Sequence, residues 1–131
     1  MRRLLMLLIA MSFAAVDLAE KSVAQSTYHH ARSLWFIVLT ALLIIGLVTL
    51  VPRVPSQVAL LGAAVAVGGA LGNVISAAVW SQGVPDPLVI GSARGIAFNL
   101  ADVFLFVGDA VMLSAIVTFA CRHQTELRAP V

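Results

Sequence analysis

The chain has 131 residues, 61% of them hydrophobic and only 11% charged, with a mean hydropathy of +1.04. Soluble domains carry about 25% charged residues, so the composition excludes a domain built for water and points to an integral membrane protein. The net charge of +2 comes without a basic cluster or interleaved aromatics, which excludes a nucleic-acid surface. The single cysteine, Cys121, excludes an internal disulfide and a multi-cysteine metal site.

A hydrocarbon core of about 30 Å takes roughly 20 apolar residues in a helix, and helices satisfy their own backbone there. The first predicted span covers residues 4–23. Its opening, "MRRLLMLLIAMSFAA", has the basic start, apolar middle and small residues of a cleavable signal peptide. Purposeful polar residues follow it, so it is read as an uncleaved anchor. After "QSTYHHARS" comes a second span, 34–51, stopped by Pro52; Pro55 precedes the third, 58–80. Pro85 and Pro87 keep "SQGVPDPLVIGSARG" out of helix before a fourth span, 96–121. The expected architecture is an all-α membrane protein, one domain of four transmembrane helices.

With both termini in the cytoplasm, that side collects Arg2, Arg3, Arg53, Arg122 and Arg128 against Lys21, Arg32 and Arg94 outside. The bias follows the positive-inside rule and faces the connections around Tyr28–Arg32 and Gln82–Gly95 outward. Trp35 and Trp80 fall near the outer interface, where amphipathic rings anchor helices.

On this map, polar side chains from separate stretches reach one outer boundary. Asp17 and Lys21 lie four apart on one face of span one, Asn73 near the outer end of span three, and Asp86 in the outer connection. Asn99 and Asp102 share a face near the outer end of span four. An ionisable group in a span marks a functional site unless something local balances it. Local pairing would join Asp17 to Lys21, Asp86 to Arg94 and Asp102 to Asn99. For Asp17 the local and functional readings weigh equally, whereas neutral Asn99 cannot balance the Asp102 carboxylate. Asp109, seven residues beyond Asp102 and about 10 Å deeper by helical rise, reads better as a protonated residue bonded to a neighbouring helix than as a proton relay.

Two carboxylates sharing a wet site hold one proton between them. The ionised group takes a proton from water and the protonated one donates to a substrate oxygen or leaving group. Asp86 and Asp102 suit that chemistry, one in a loop that can fold back and one fixed on a helix. It needs no metal or cofactor. His29 and His30 are adjacent and point differently on most backbones, so they support no metal site and read as interfacial loop residues. Gly68 and Gly72 in "LLGAAVAVGGALGN" form a small-xxx-small pattern expected to let Asn73 approach span four.

"GGALGN" at Gly68–Asn73, the loop Asp of "VPDP", "AFNLAD" at Ala97–Asp102 and "VDLAEK" at Val16–Lys21, in this order, resemble lipoprotein signal peptidase, the signal peptidase II family. The resemblance covers most of the chain. It implies an aspartic endopeptidase of the bacterial inner membrane, acting as a monomer. Its substrate would be a prolipoprotein, cut before a diacylglyceryl-modified cysteine at the outer face. Asp86 and Asp102 would be the catalytic pair, and Asn73, Asn99, Asp17 and Lys21 the supporting residues.

Departures from the family pattern are specific. Ser76 and Ala77 stand where the family has Asp-Arg, Asp86 sits between two prolines, and the first outer connection lacks the longer substrate-gripping segment. These departures give a second reading: an inactive relative that binds lipidated peptides or partner helices. A third is a small proton-coupled transporter subunit using Asp102 and Asp109, although no internal repeat is visible.

Overall fold

Serines start two of the helices where polar residues interrupt the apolar runs. The Ser33 hydroxyl accepts the Phe36 N–H at 3.3 Å and opens α2 (Leu34–Leu50). Ser56 accepts the Ala59 N–H at 3.2 Å and opens α3 (Gln57–Val79). Such caps satisfy backbone donors that a helix start leaves free. Between them Pro52 ends α2 in a 3₁₀ turn, Val51–Arg53. The computed structural model describes residues 1–26, 28–91 and 95–124 and also contains α1 (Arg2–Val23) and α4 (Leu100–Arg122). Arg94 and Arg128, part of the charge count and, for Arg94, of a possible pair with Asp86, lie outside the described residues.

Four helices are present among the described residues. Three are long and apolar enough to cross a membrane: α3, α4 and α2 with its 3₁₀ extension. The remaining one, α1, has 22 residues but gathers Asp17, Glu20 and Lys21 near its end. Large apolar side chains such as Leu8, Leu39, Phe106 and Val117 point outward, a surface suited to lipid rather than water. The chain is a membrane protein.

The helix of span four begins later than expected, at Leu100 rather than Ile96. Ile96–Phe98 forms strand β4, paired antiparallel with β3 (Leu88–Ile90). The reason is local. Asn99 accepts the Asp102 N–H at 3.1 Å, and the Asp102 carboxylate accepts the Asn99 N–H at 3.3 Å. This reciprocal capping box fixes the helix start. A second ribbon pairs β1 (His29–His30) with β2 (Val84–Pro85), tying the two loops at this end together.

Helix α3 lies at the centre, packed chiefly against α4 and α1, while α2 has no fully buried residue. The core joins Met6 and Ala10 of α1, Leu60, Ala63 and Val67 of α3, and Met112 of α4; Ile44, Leu47 and Val48 of α2 lean on it. Small residues set these distances, but not as the sequence suggested. Gly68 and Gly72 face α1, where added methyls would meet Phe13 and the Asp17 carboxylate. It is Gly62, Gly69 and Gly108 that bring α3 and α4 together. A Cβ on Gly62 would stand 2.5 Å from the Met112 nitrogen and 2.8 Å from the Gly108 carbonyl oxygen.

Because those neighbours are backbone, they have little room to yield. Gly62→Leu and Gly108→Leu are each expected to destabilise the protein by about 1–3 kcal/mol. Gly46→Ala, with no neighbouring atom within 4 Å, should hold or raise stability by about 0.5–1 kcal/mol. Thermal unfolding of the three variants in lipid or detergent checks the contrast.

Candidate active site

The polar side chains singled out in the sequence meet at one end of the bundle, where α1 and α3 finish and α4 begins. Asp17, Lys21, Asn73, Asp86 and Asn99 are all buried, between 0% and 3% exposed. Asp102 is half-buried, the one carboxylate of the group with an open side.

The start of α4 organises the group. Its first-turn N–H groups lack intrahelical partners and carry the positive end of the helix dipole. Asn99 takes the Asp102 N–H, and Asp17 reaches across from α1 to accept the Ala101 N–H at 2.8 Å. The other Asp17 oxygen accepts from Lys21 Nζ at 2.8 Å. A glycine at position 72 leaves the space that this carboxylate occupies.

From Lys21 the network crosses to α3 and returns to α4. The ammonium donates to Asn73 Oδ1 at 3.0 Å, and Asn73 Nδ2 donates to Asp102 Oδ1 at 2.9 Å. Asn99 then links the two aspartates named as a pair. Its Nδ2 donates to Asp86 Oδ1 at 2.6 Å, while its backbone N–H and side-chain oxygen engage Asp102. The Asp86 N–H donates to the Tyr28 carbonyl at 2.9 Å and to Ser26 Oγ at 3.1 Å. The loop carboxylate is thereby held against the helix start.

One member escaped the sequence reading. His30, taken as an interfacial loop residue, directs Nδ1 onto Asp86 Oδ2. The contact depends on strand pairing between β1 and β2, which the order of residues along the chain does not reveal. Val84 opposes His30 in that register, which leaves Asp86 within its reach. Among the described residues, no group of three or more His, Cys, Asp or Glu side chains is arranged to hold a metal.

Two further expectations meet a different outcome. The Asp109 carboxyl makes no hydrogen bond to a neighbouring helix among the described residues; it is half-buried on α4, well below the cluster. Ser76, standing where an Asp was expected from the resemblance, donates its hydroxyl to the Gly72 carbonyl at 2.6 Å and adds nothing to the network. Beneath the cluster, Phe13 and Phe104 pack edge to face with centroids 4.9 Å apart. Two apolar grooves lie away from it, one at the opposite end between Ser56 and Arg122, the other between α2 and α4.

The Asp17–Lys21 pair is fully buried, so removing one partner leaves a charge stranded. Lys21→Met should destabilise the protein by about 3–5 kcal/mol, and Asp17→Asn combined with Lys21→Met by clearly less. Equilibrium unfolding of the single and double variants tests this coupling.

Comparison with known proteins supplies the context. The family model for signal peptidase (SPase) II matches residues 5–118. A solved bacterial membrane enzyme, determined by the in meso method at 2.3 Å resolution, shares the fold with a TM-score of 0.69. Its sequence identity is 17%, over 96% of this chain and 93% of that one. No curated protein matches.

Proposed function

Because the chain belongs to the signal peptidase II family, whose members are membrane hydrolases that process lipoproteins, we propose that it is an aspartic endopeptidase with Asp86 and Asp102 as its catalytic dyad. Its substrate is a prolipoprotein bearing a diacylglyceryl-modified cysteine, and cleavage falls just before that residue. The observation that carries the reading is the Asn99 bridge: one side chain and its backbone hold carboxylates from a loop and a helix in a single site.

Lys21 donates to Asp17 and reaches Asp102 only through Asn73, while Asp86 is held by Asn99 and His30. Lys21 is engaged with Asp17, so the dyad has no lysine of its own. In the proposed mechanism the two carboxylates share one proton. The ionised member removes a proton from water, which attacks the scissile carbonyl carbon. The protonated member donates to the carbonyl oxygen as it gains charge. Collapse of the tetrahedral intermediate then breaks the C–N bond: the proton taken from water passes to the departing amine, and the hydroxyl proton released as C=O reforms returns to the carboxylate that had donated it. Asn73, Asn99, Lys21 and Asp17 hold the reacting carboxylates in place.

In this reading the chain is one four-span domain that acts as a monomer, with the site at the outer face. Both termini then lie in the cytoplasm of a bacterial cell with the chain in its inner membrane. Support comes from Arg2, Arg53 and Arg122, which sit at the helix ends opposite the cluster, on the side the positive-inside rule assigns to the cytoplasm. Arg2 also donates to the Ser56 carbonyl at 2.9 Å and ties α1 to α3 there. A second reading, a relative that binds lipidated peptides without cutting them, draws on Ser76, whose hydroxyl is spent on its own helix.

Incubation of the purified chain with a lipid-modified prolipoprotein separates the two. Asp86→Asn and Asp102→Asn should each lower the cleavage rate by about 10² to 10⁴-fold with the fold retained. Asp109→Asn, remote from the network, should cleave at the wild-type rate. Substrate left intact by the wild type supports the binding relative. Proton flux that Asp109→Asn abolishes, in a wild type that leaves the substrate intact, would instead point to the transporter reading.

A further inference from the structure

The contact between His30 and Asp86 has no counterpart among the motifs that carry the family resemblance. Asp86 has two carboxylate oxygens, and both are engaged. Asn99 Nδ2 donates to Oδ1, and His30 Nδ1 meets Oδ2. Backbone contacts fix the Asp86 Cα through Tyr28 and Ser26. They do not fix rotation of the carboxylate about its own bonds. Two side-chain partners on opposite oxygens do.

The chain needs such a device more than its loop would suggest. Asp86 follows a glycine turn, with Gly83 at φ +102° against the His30 carbonyl, and lies between two prolines. Apart from Asn99, no side chain of α3 or α4 is bonded to this carboxylate among the described residues. The short first connection, which lacks a long gripping segment, instead supplies β1. That strand lies against β2 and delivers an imidazole to Asp86 from the side opposite Asn99. The two contacts differ in setting. Asp86 is 1% exposed, whereas the His30 side chain is 55% exposed, so the imidazole spans from the buried carboxylate to the open surface.

We propose that His30 is a positioning residue for hydrolysis, holding the loop aspartate in the orientation from which it works with Asp102. The inference rests on the dyad reading of Asp86. An oriented carboxylate matters because a displacement of about 1 Å in a reacting group can cost on the order of 100-fold in rate. His30 acts through Asp86 and does not itself touch the scissile bond. The role requires a donor at the Nδ1 position. Asparagine places an N–H there and alanine does not.

The test compares wild type, His30→Ala and His30→Asn on a diacylglyceryl-modified prolipoprotein in lipid, with thermal unfolding measured on each. His30→Ala should lower kcat about 10- to 100-fold with KM changed little. His30→Asn should recover most of that loss, and all three should unfold at similar temperatures. Wild-type kcat in His30→Ala overturns the proposal while leaving the peptidase assignment intact. So does an equal loss in the Ala and Asn variants accompanied by lower unfolding temperatures, which marks His30 as a strand residue only. A wild type that leaves the substrate uncut overturns the peptidase reading, and the positioning role with it.

Discussion

A helix that starts among apolar neighbours has backbone N–H groups with nowhere to donate, and in α4 this constraint shapes the whole polar end of the protein. Water cannot serve those donors freely beside lipid, where each unsatisfied group costs several kcal/mol. Asn99 accepts one and Asp17 of α1 accepts another. The carboxylate of Asp17 then needs a counter-charge, which Lys21 provides one turn later. Lys21 has further donors, and Asn73 takes one and passes the connection to Asp102. These polar residues thus satisfy one another in a chain that runs from α4 through α1 and α3 and back.

This dependence makes fold and site hard to separate. The capping box that starts α4 also sets Asp102 at N3, facing the cluster. The bridge from Asn99 to Asp86 draws a proline-flanked loop onto the helix end. Close approach of α3 to both neighbours, made possible by glycines at positions 62, 69, 72 and 108, is what lets Asn73 reach Lys21 on one side and Asp102 on the other. Burial gives these hydrogen bonds their strength, because a low-dielectric surrounding raises the value of a satisfied polar contact and the penalty for a lost one.

Much of this was legible in the residues. Apolar length and the prolines marked the helices, since both act locally. The convergence of Asp17, Lys21, Asn73, Asp86, Asn99 and Asp102 on one end followed from counting turns along antiparallel spans. What escaped depended on pairing between distant segments. Ile96–Phe98 is apolar enough for a helix and became a strand because Leu88–Ile90 lies beside it and Asn99 caps the next residue. Gly68 and Gly72 were correctly seen as packing residues, but periodicity does not tell which neighbour a face meets, and they meet α1. Asp109 was expected to bond a neighbouring helix and does not among the described residues. His30 needed the β1–β2 register to come into view.

The central claim is that two carboxylates joined through Asn99 hydrolyse a peptide bond next to a lipid-modified cysteine. The most direct measurement is mass spectrometry of a diacylglyceryl-modified prolipoprotein after incubation with the purified wild-type chain in a bilayer. The account predicts a product whose new N-terminus is the modified cysteine, formed with a chelator present as readily as without. Substrate of unchanged mass, or cleavage that the chelator abolishes, would contradict it.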